Sequence, residues 1–351
     1  MFSEIMLMQC LDVSFDTATH ILGAAAAKVV PPLSTALRVH RQRLECQAHL
    51  QTQLASLDRA LKGGIPVGSI TELVGPAGVG KTQMALMLSA LVPLPQQLGG
   101  LGEDSGVVYI DTEGKFNAER LVEIAQAKAP AFFAKATSGA ASSGAELVRK
   151  LIGNIQVYTV RTSAELMDIL HQLNVVVPTY RTRLVVVDSV AALARQEFGH
   201  TDMVMRQDLL TQQAAILKSI AEEHSVPVVV TNQVTTRFDG QDESAALSPA
   251  LGNTWAHCVN TRLLMQPVQS AKGCLSGRQL SIIKSPMVGP FRVRYKIGLS
   301  GIEYVDSEQE TETHVQGGQD AIRVASCMAD GDTAGAVDWQ QEHSKVEARQ
   351  G

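Results

Sequence analysis

The chain has 351 residues, 45% hydrophobic and 19% charged, which suits one large domain with a small module and excludes a disordered protein. No apolar run reaches the roughly 18 residues of a membrane span, and the opening MFSEIMLMQCLD carries Glu4 and no basic segment, against a secretory signal. The net charge of −5 argues at first against a polyanion partner, but residues 303–351 hold eleven acidic and three basic groups, so the remaining chain is slightly positive and nucleic acid is not excluded. Five scattered cysteines without a CxxC read as reduced thiols of an intracellular protein.

Residues 1–32 read as a partial helical module closed by Val30-Pro31-Pro32, and the polar, Gln-rich residues 33–56 as a linker with a helical stretch. From Leu57 strands and helices alternate. SITELV is a strand and 81–92 a helix; GVVYID is a strand, and Asn117 caps the helix AERLVEIAQAK. TSGAASSG (137–144) is a flexible loop; IQVYTV is a strand, and Ser163 caps AELMDILHQL. LVVVD (184–188) and PVVVTNQ (227–233) are strands around a long helix near 203–224. Apolar runs this short and unbroken indicate strands buried on both faces of a parallel sheet. After residue 255, VNTRLLM, QLSIIK and FRVRYKI extend the sheet at one edge as consecutive strands, and the acidic residues 305–351 are expected to be disordered.

Gly75-Pro76-Ala77-Gly78-Val79-Gly80-Lys81-Thr82 fits G-x-x-x-x-G-K-[ST] between a strand and a helix. Glycines let backbone N–H groups converge on phosphate oxygens, and the helix N-terminus adds partial positive charge. Lys81 is then placed for the β- and γ-phosphates and Thr82 for Mg²⁺, which predicts binding of ATP or a similar nucleotide. Hydrolysis needs more. Asp188, ending a buried strand, can hold the metal, or else cap the next segment. Glu113, just past the strand VVYID, can orient or deprotonate a water; Asp111 competes for that role with a shorter reach. Asn232-Gln233 end a further strand, where an amide can address a γ-phosphate.

With these stations in order, VGPAGVGKTQ, VYIDTEGKFNAERL, VVVTNQV and NTRL resemble the RecA-like strand-exchange ATPases of eukaryotes. GGIPVGSITELVGPAGVGKTQ, LGNTWAHCVNTRL and IIKSPM look like the B-type branch of the recombinase paralogues, over roughly residues 7–302. The resemblance implies an α/β fold: a RecA-like P-loop ATPase core over 57–304, with a mostly parallel central sheet flanked by helices, an antiparallel C-terminal edge and a truncated N-terminal helical module. It implies ATP and Mg²⁺ held by the loop residues Gly75 to Thr82, with Gln83, and Asp188 as the second metal-side group. Glu113 takes the place of the catalytic glutamate, Gln233 that of the γ-phosphate sensor, and Arg120 that of the arginine packed on the nucleotide base. Without the resemblance, Arg120 reads as a helix-face charge paired with Glu119 or Glu123.

The implied function is ATP-dependent mediation of homologous recombination and double-strand break repair in the nucleus, with slow, DNA-stimulated ATP hydrolysis. The implied partners are a C-type paralogue and other paralogues, the strand-exchange recombinase and single-stranded DNA, the last bound through loops near 194–207 and 235–252. The alternatives are a structural adaptor ordered by bound ATP and a filament-forming strand exchanger. The second loop carries Asp239, Asp242 and Glu243 against Arg237, with Phe238 alone able to stack, which predicts weak DNA binding by this chain alone. Arg195, His200 and Arg206 supply the first loop better, beside Glu197 and Asp202. Lys284 stands where filament formers carry an acidic residue. His257 matches a histidine near the subunit junction or is a buried structural imidazole, and Trp255 reads as packing rather than a stacking platform.

Overall fold

The computed structural model describes residues 4–29, 34–45, 49–135, 144–198, 202–237, 246–249, 252–269 and 275–305. Contacts group the chain into two units, Met1–Ala48 and His49–Gly351. The first carries helices α1 (Glu4–Leu11), α2 (Phe15–Val29) and α3 (Ala36–Glu45). The helical run expected over residues 1–30 is two helices, because Asp12 turns to φ 52° and the Ser14 hydroxyl accepts the Thr17 N–H to start α2.

The second unit opens with β1 (His49–Leu50), α4 (Ala55–Ala60) and β2 (Ile65–Pro66), β1 and β2 pairing antiparallel. Leu50 and Leu54, which read as linker in the sequence, are buried in its core. Next come β3 (Ile70–Val74), α5 (Lys81–Leu91), β4 (Gly106–Asp111), α6 (Ala118–Lys128), α7 (Pro130–Lys135), α8 (Gly144–Gly153), β5 (Ile155–Thr159), α9 (Ser163–Thr179) and β6 (Thr182–Asp188). Helices α10 (Val190–Glu197) and α11 (Met203–His224) lead to β7 (Val228–Asn232). Strands β8 (Val234–Arg237) and β9 (Ala246–Pro249) form a separate antiparallel ribbon, followed by α12 (Gly252–Cys258). The chain then runs through β10 (Thr261–Gln269), β11 (Leu275–Lys284), β12 (Phe291–Gly298) and β13 (Gly301–Tyr304).

Nine strands form the main sheet in the order β13-β12-β11-β10-β3-β7-β6-β4-β5, parallel from β10 to β5 and antiparallel from β10 to β13. The expected α/β, RecA-like architecture with its antiparallel C-terminal edge is the observed one. Its physical basis is visible in β6, where Leu184 and Val186 join the core on one face and Val185 and Val187 the core on the other. Helix α5 is buried without interruption from Met84 to Leu91, as expected of a helix with no solvent face. Among the described residues no helix is long and apolar enough to cross a membrane.

Two local expectations change. Thr162, not Ser163, caps α9, its hydroxyl accepting the Glu165 N–H at 3.2 Å, whereas Asn117 caps α6 as read, accepting the Arg120 N–H at 2.7 Å. Arg195 and Glu197 lie on α10, and Arg206 on α11, rather than on a loop. His200, Phe238, Asp239, Asp242, Glu243, residues 137–143 and the tail beyond 305 lie outside the described residues.

Candidate nucleotide site

The parallel strands deliver their C-terminal ends to one rim of the sheet, where open α/β folds bind ligands. Val74 stands in register with Asn232, and Asp111 with Asp188, so four loops leave the sheet side by side.

The loop after β3 is shaped by close backbone approach. A Cβ on Gly75 would lie 2.1 Å from the Met265 carbonyl oxygen of the neighbouring β10, and Gly80 adopts φ 107° at the start of α5. No side chain caps α5 at Gly80, so its first N–H groups face the rim. Behind the loop, the Tyr295 hydroxyl donates to the Val79 carbonyl at 2.6 Å.

Lys81 reaches back across the loop, its Nζ donating to the carbonyls of Gly75 and Pro76 at 2.8 Å each. Burial pushes its pKa down to about 8, against the opposing pull of Asp188 and Glu113. The Thr82 hydroxyl donates to Asp188 Oδ2 at 2.7 Å. Asp188, 4% exposed, also accepts from Tyr109 at 2.9 Å and from the Thr231 hydroxyl. The peptide after it, Asp188–Ser189, is cis.

The two carboxylates after β4 have different surroundings. Asp111 turns inward and accepts the backbone N–H groups of Glu113, Lys115 and Phe116, which folds the turn. Glu113 points to the rim, its Oε1 accepting from Ser189 Oγ at 2.9 Å and Gln233 Nε2 at 3.4 Å, with Oε2 paired to Lys115. Burial pushes the Glu113 carboxyl up, but hydrogen bonds from Lys115 and Ser189 outweigh it and hold it below the usual range. A cavity of about 300 Å³ opens beside Glu113 and Gln233, walled by Ala192, Arg195 and Gln196 of α10.

The structure thus gathers Lys81, Thr82, Glu113, Asp188 and Gln233 at one rim. Arg120 stands apart from their hydrogen bonds: its Nε donates to Gln83 Oε1 at 2.9 Å and its Nη1 to Glu123 at 2.9 Å and to the Leu299 carbonyl at 3.2 Å. It ties α6 to α5 and to the β12–β13 turn. His257 is exposed, not a buried imidazole, and Lys284 donates to carbonyls of its own chain, those of Ala256 and Val259. Ser189, Tyr109 and Tyr295 were not legible as site residues, since each is set by a contact far along the chain. The donor set fits a triphosphate with Mg²⁺: an uncapped helix start and an ammonium for phosphate, with one hydroxyl and one carboxylate for a metal that takes its other oxygens from phosphate and water.

A glycine-walled phosphate loop on a central parallel strand, with carboxylates on neighbouring strand ends and an antiparallel C-terminal edge, defines a RecA-like P-loop protein. Residues 42–305 match the Rad51 family model, and the chain belongs to the Rad51 family, a family of RecA-like ATPases that bind ATP with magnesium. It is 36% identical over 326 residues to the mouse protein named DNA repair protein RAD51 homolog 2, covering 86% of this chain and 88% of that one. The human protein of the same name is 36% identical over 314 residues, covering 82% and 77%. The Arabidopsis thaliana protein of that name is 30% identical over 334 residues, covering 88% and 84%.

Proposed function

We propose that this chain is a nuclear, ATP-dependent mediator of homologous recombination and double-strand break repair, acting beside other recombinase paralogues, a C-type paralogue among them, on single-stranded DNA. The names of its relatives support the repair role. The observation that carries the nucleotide part is the Thr82–Asp188 hydrogen bond of 2.7 Å beneath an uncapped helix start. In this reading residues 57–304 act as the ATPase core, with 1–32 as an accessory module, 33–56 as a connection and 305–351 as a tail.

Gly75 to Gly80 and the first N–H groups of α5 hold the phosphates, Lys81 balances charge on them, and Gln83 and Arg120 shape the nucleoside side. Thr82 and Asp188 hold Mg²⁺, which supplies charge neutralisation of the phosphate oxygens. Glu113 Oε1 accepts a hydrogen bond from the attacking water; the bond from the γ-phosphorus to the bridging oxygen breaks as the water oxygen bonds, and the water's proton passes to Glu113. A carboxylate held below its usual pKa is a weak base, which favours slow turnover. Gln233 registers the γ-phosphate and transmits its loss to the ribbon that follows.

The test uses calorimetry and phosphate release with single-stranded DNA present. Lys81→Ala should abolish Mg·ATP binding, and Glu113→Gln should keep binding while hydrolysis falls on the order of a hundredfold. Unchanged affinity in the lysine variant overturns the phosphate-loop assignment. A structural adaptor is the second reading, favoured by the three groups that already occupy the Glu113 carboxylate. It holds if Glu113→Gln supports repair in cells as well as the parent does.

A further inference from the structure

Behind the rim lies a buried charge that the nucleotide reading does not use. Glu72, the middle residue of β3, is fully buried. Its Oε1 accepts from Asn232 Nδ2 at 2.7 Å and from Trp255 Nε1 at 2.9 Å, and its Oε2 pairs with the Nε of Arg262, itself 2% exposed. Two more polar atoms there, Asn232 Oδ1 and Arg262 Nη2, are buried with no hydrogen-bond partner. Apolar packing of the same volume generally gives equal or greater stability than such an arrangement, so stability alone does not account for it.

What the arrangement accomplishes is geometric. Asn232 ends β7, one residue before Gln233 and two before β8. Trp255 lies in α12, which begins at Gly252 after β9. One carboxylate oxygen therefore fastens both roots of the β8–β9 ribbon to the strand that carries the phosphate loop. Lys284 of β11 secures the far end of α12, its Nζ donating to the carbonyls of Ala256 at 2.7 Å and Val259 at 2.6 Å, as a cation suits a helix C-terminus.

We propose that Glu72 is a positioning residue: a shift of Gln233 on triphosphate binding is passed through Asn232 and the Glu72 carboxylate to Trp255 and α12, so both roots of the ribbon move together. This rests on the reading of Gln233 as the residue that registers the γ-phosphate. Trp255 is one of two tryptophans, the other being Trp339, so it reports on the linkage directly. In the full-length chain with Trp339→Phe, emission is followed while Mg²⁺ and a non-hydrolysable ATP analogue are added, with calorimetry on the same samples.

The expected result is an emission change with the calorimetric midpoint. Adding Asn232→Leu keeps the branched skeleton, removes the orphaned carbonyl and leaves Glu72 with two partners. That protein should stay folded at a somewhat lower unfolding temperature, bind the analogue within about threefold of its parent, and lose the emission change. Should the leucine variant not fold, Glu72→Gln in the same background carries the same expectation. A silent Trp255 where calorimetry records binding, or a full response in the variant, overturns the relay. No heat of binding in any of the proteins sinks the nucleotide reading itself, and the relay with it.

Discussion

Lys81 illustrates how a single side chain carries the electrostatics of the rim. With its pKa near 8, the free protein holds that ammonium partly deprotonated in mildly alkaline buffer, while a bound triphosphate favours the charged form. Nucleotide binding should therefore take up protons, seen as a dependence of calorimetric heat on buffer ionisation enthalpy near pH 8. Affinity should weaken about tenfold between pH 7 and pH 9 as the charged fraction falls. The stability effect has the opposite direction. The unfolded chain keeps this proton up to its ordinary range, so the penalty on the fold is complete below about 8 and is relieved as pH rises through that value. A flat pH profile of affinity would remove Lys81 from the phosphate contacts. At this scale the phosphate loop, Asp188 and Glu113 were legible from spacing relative to a strand, whereas only the resemblance separated Gln233 from its neighbour Asn232. Glu72 was missed. The available signal was a lone acid in the apolar strand SITELV and a lone base in VNTRLLM, which burial on both faces turns into a pair.

At the level of elements, the phosphate loop depends on strands that come long after it. Tyr295 on β12 donates to Val79, and Ile297 and Ile302 close the space beside Gly80. Tyr295→Phe should destabilise the protein by about 1 kcal/mol in chemical denaturation, by leaving a buried carbonyl without its donor. On the proposed ATPase reading it should raise KM more than it lowers kcat, since it loosens the cradle without touching Glu113. Gly75→Ala should be far worse, with a loss of several kcal/mol, because the added methyl meets the backbone of β10, which cannot yield without opening the sheet. Strands β3 to β7 and β10 to β12 were readable from their apolar runs, and α6 from its cap, whereas the short strands β1, β2, β8, β9 and β13 were not. Helices α4, α7, α8, α10 and α12 were not, and α10 stayed hidden because its small residues, VAALA, are buried by contact with α9, α11 and β7 rather than marked by a periodic apolar face. Thr162 and Ser163 are adjacent potential caps, and only the backbone of residue 162, still extended at φ −131°, decides between them.

Over the whole molecule, the sheet places its catalytic candidates on one side of β3 and its support on the other. Strands β7, β6 and β4 bring Gln233, Asp188 and Glu113, while β10 to β13 back the loop. The slight positive excess of the chain before residue 303 predicts feeble contact with single-stranded DNA. About three phosphate contacts give a slope of log affinity on log salt near −2, checked by fluorescence anisotropy. A slope several times steeper would mean that the basic surface is larger than the charge pattern allows. The division has a bearing on inherited variation. Tyr295 touches Val79 across 216 positions of chain, so an amino-acid change near the C-terminal edge can present as a defect of ATP handling. Sorting substitutions by distance along the chain from the GKT signature would therefore place such changes in the wrong class.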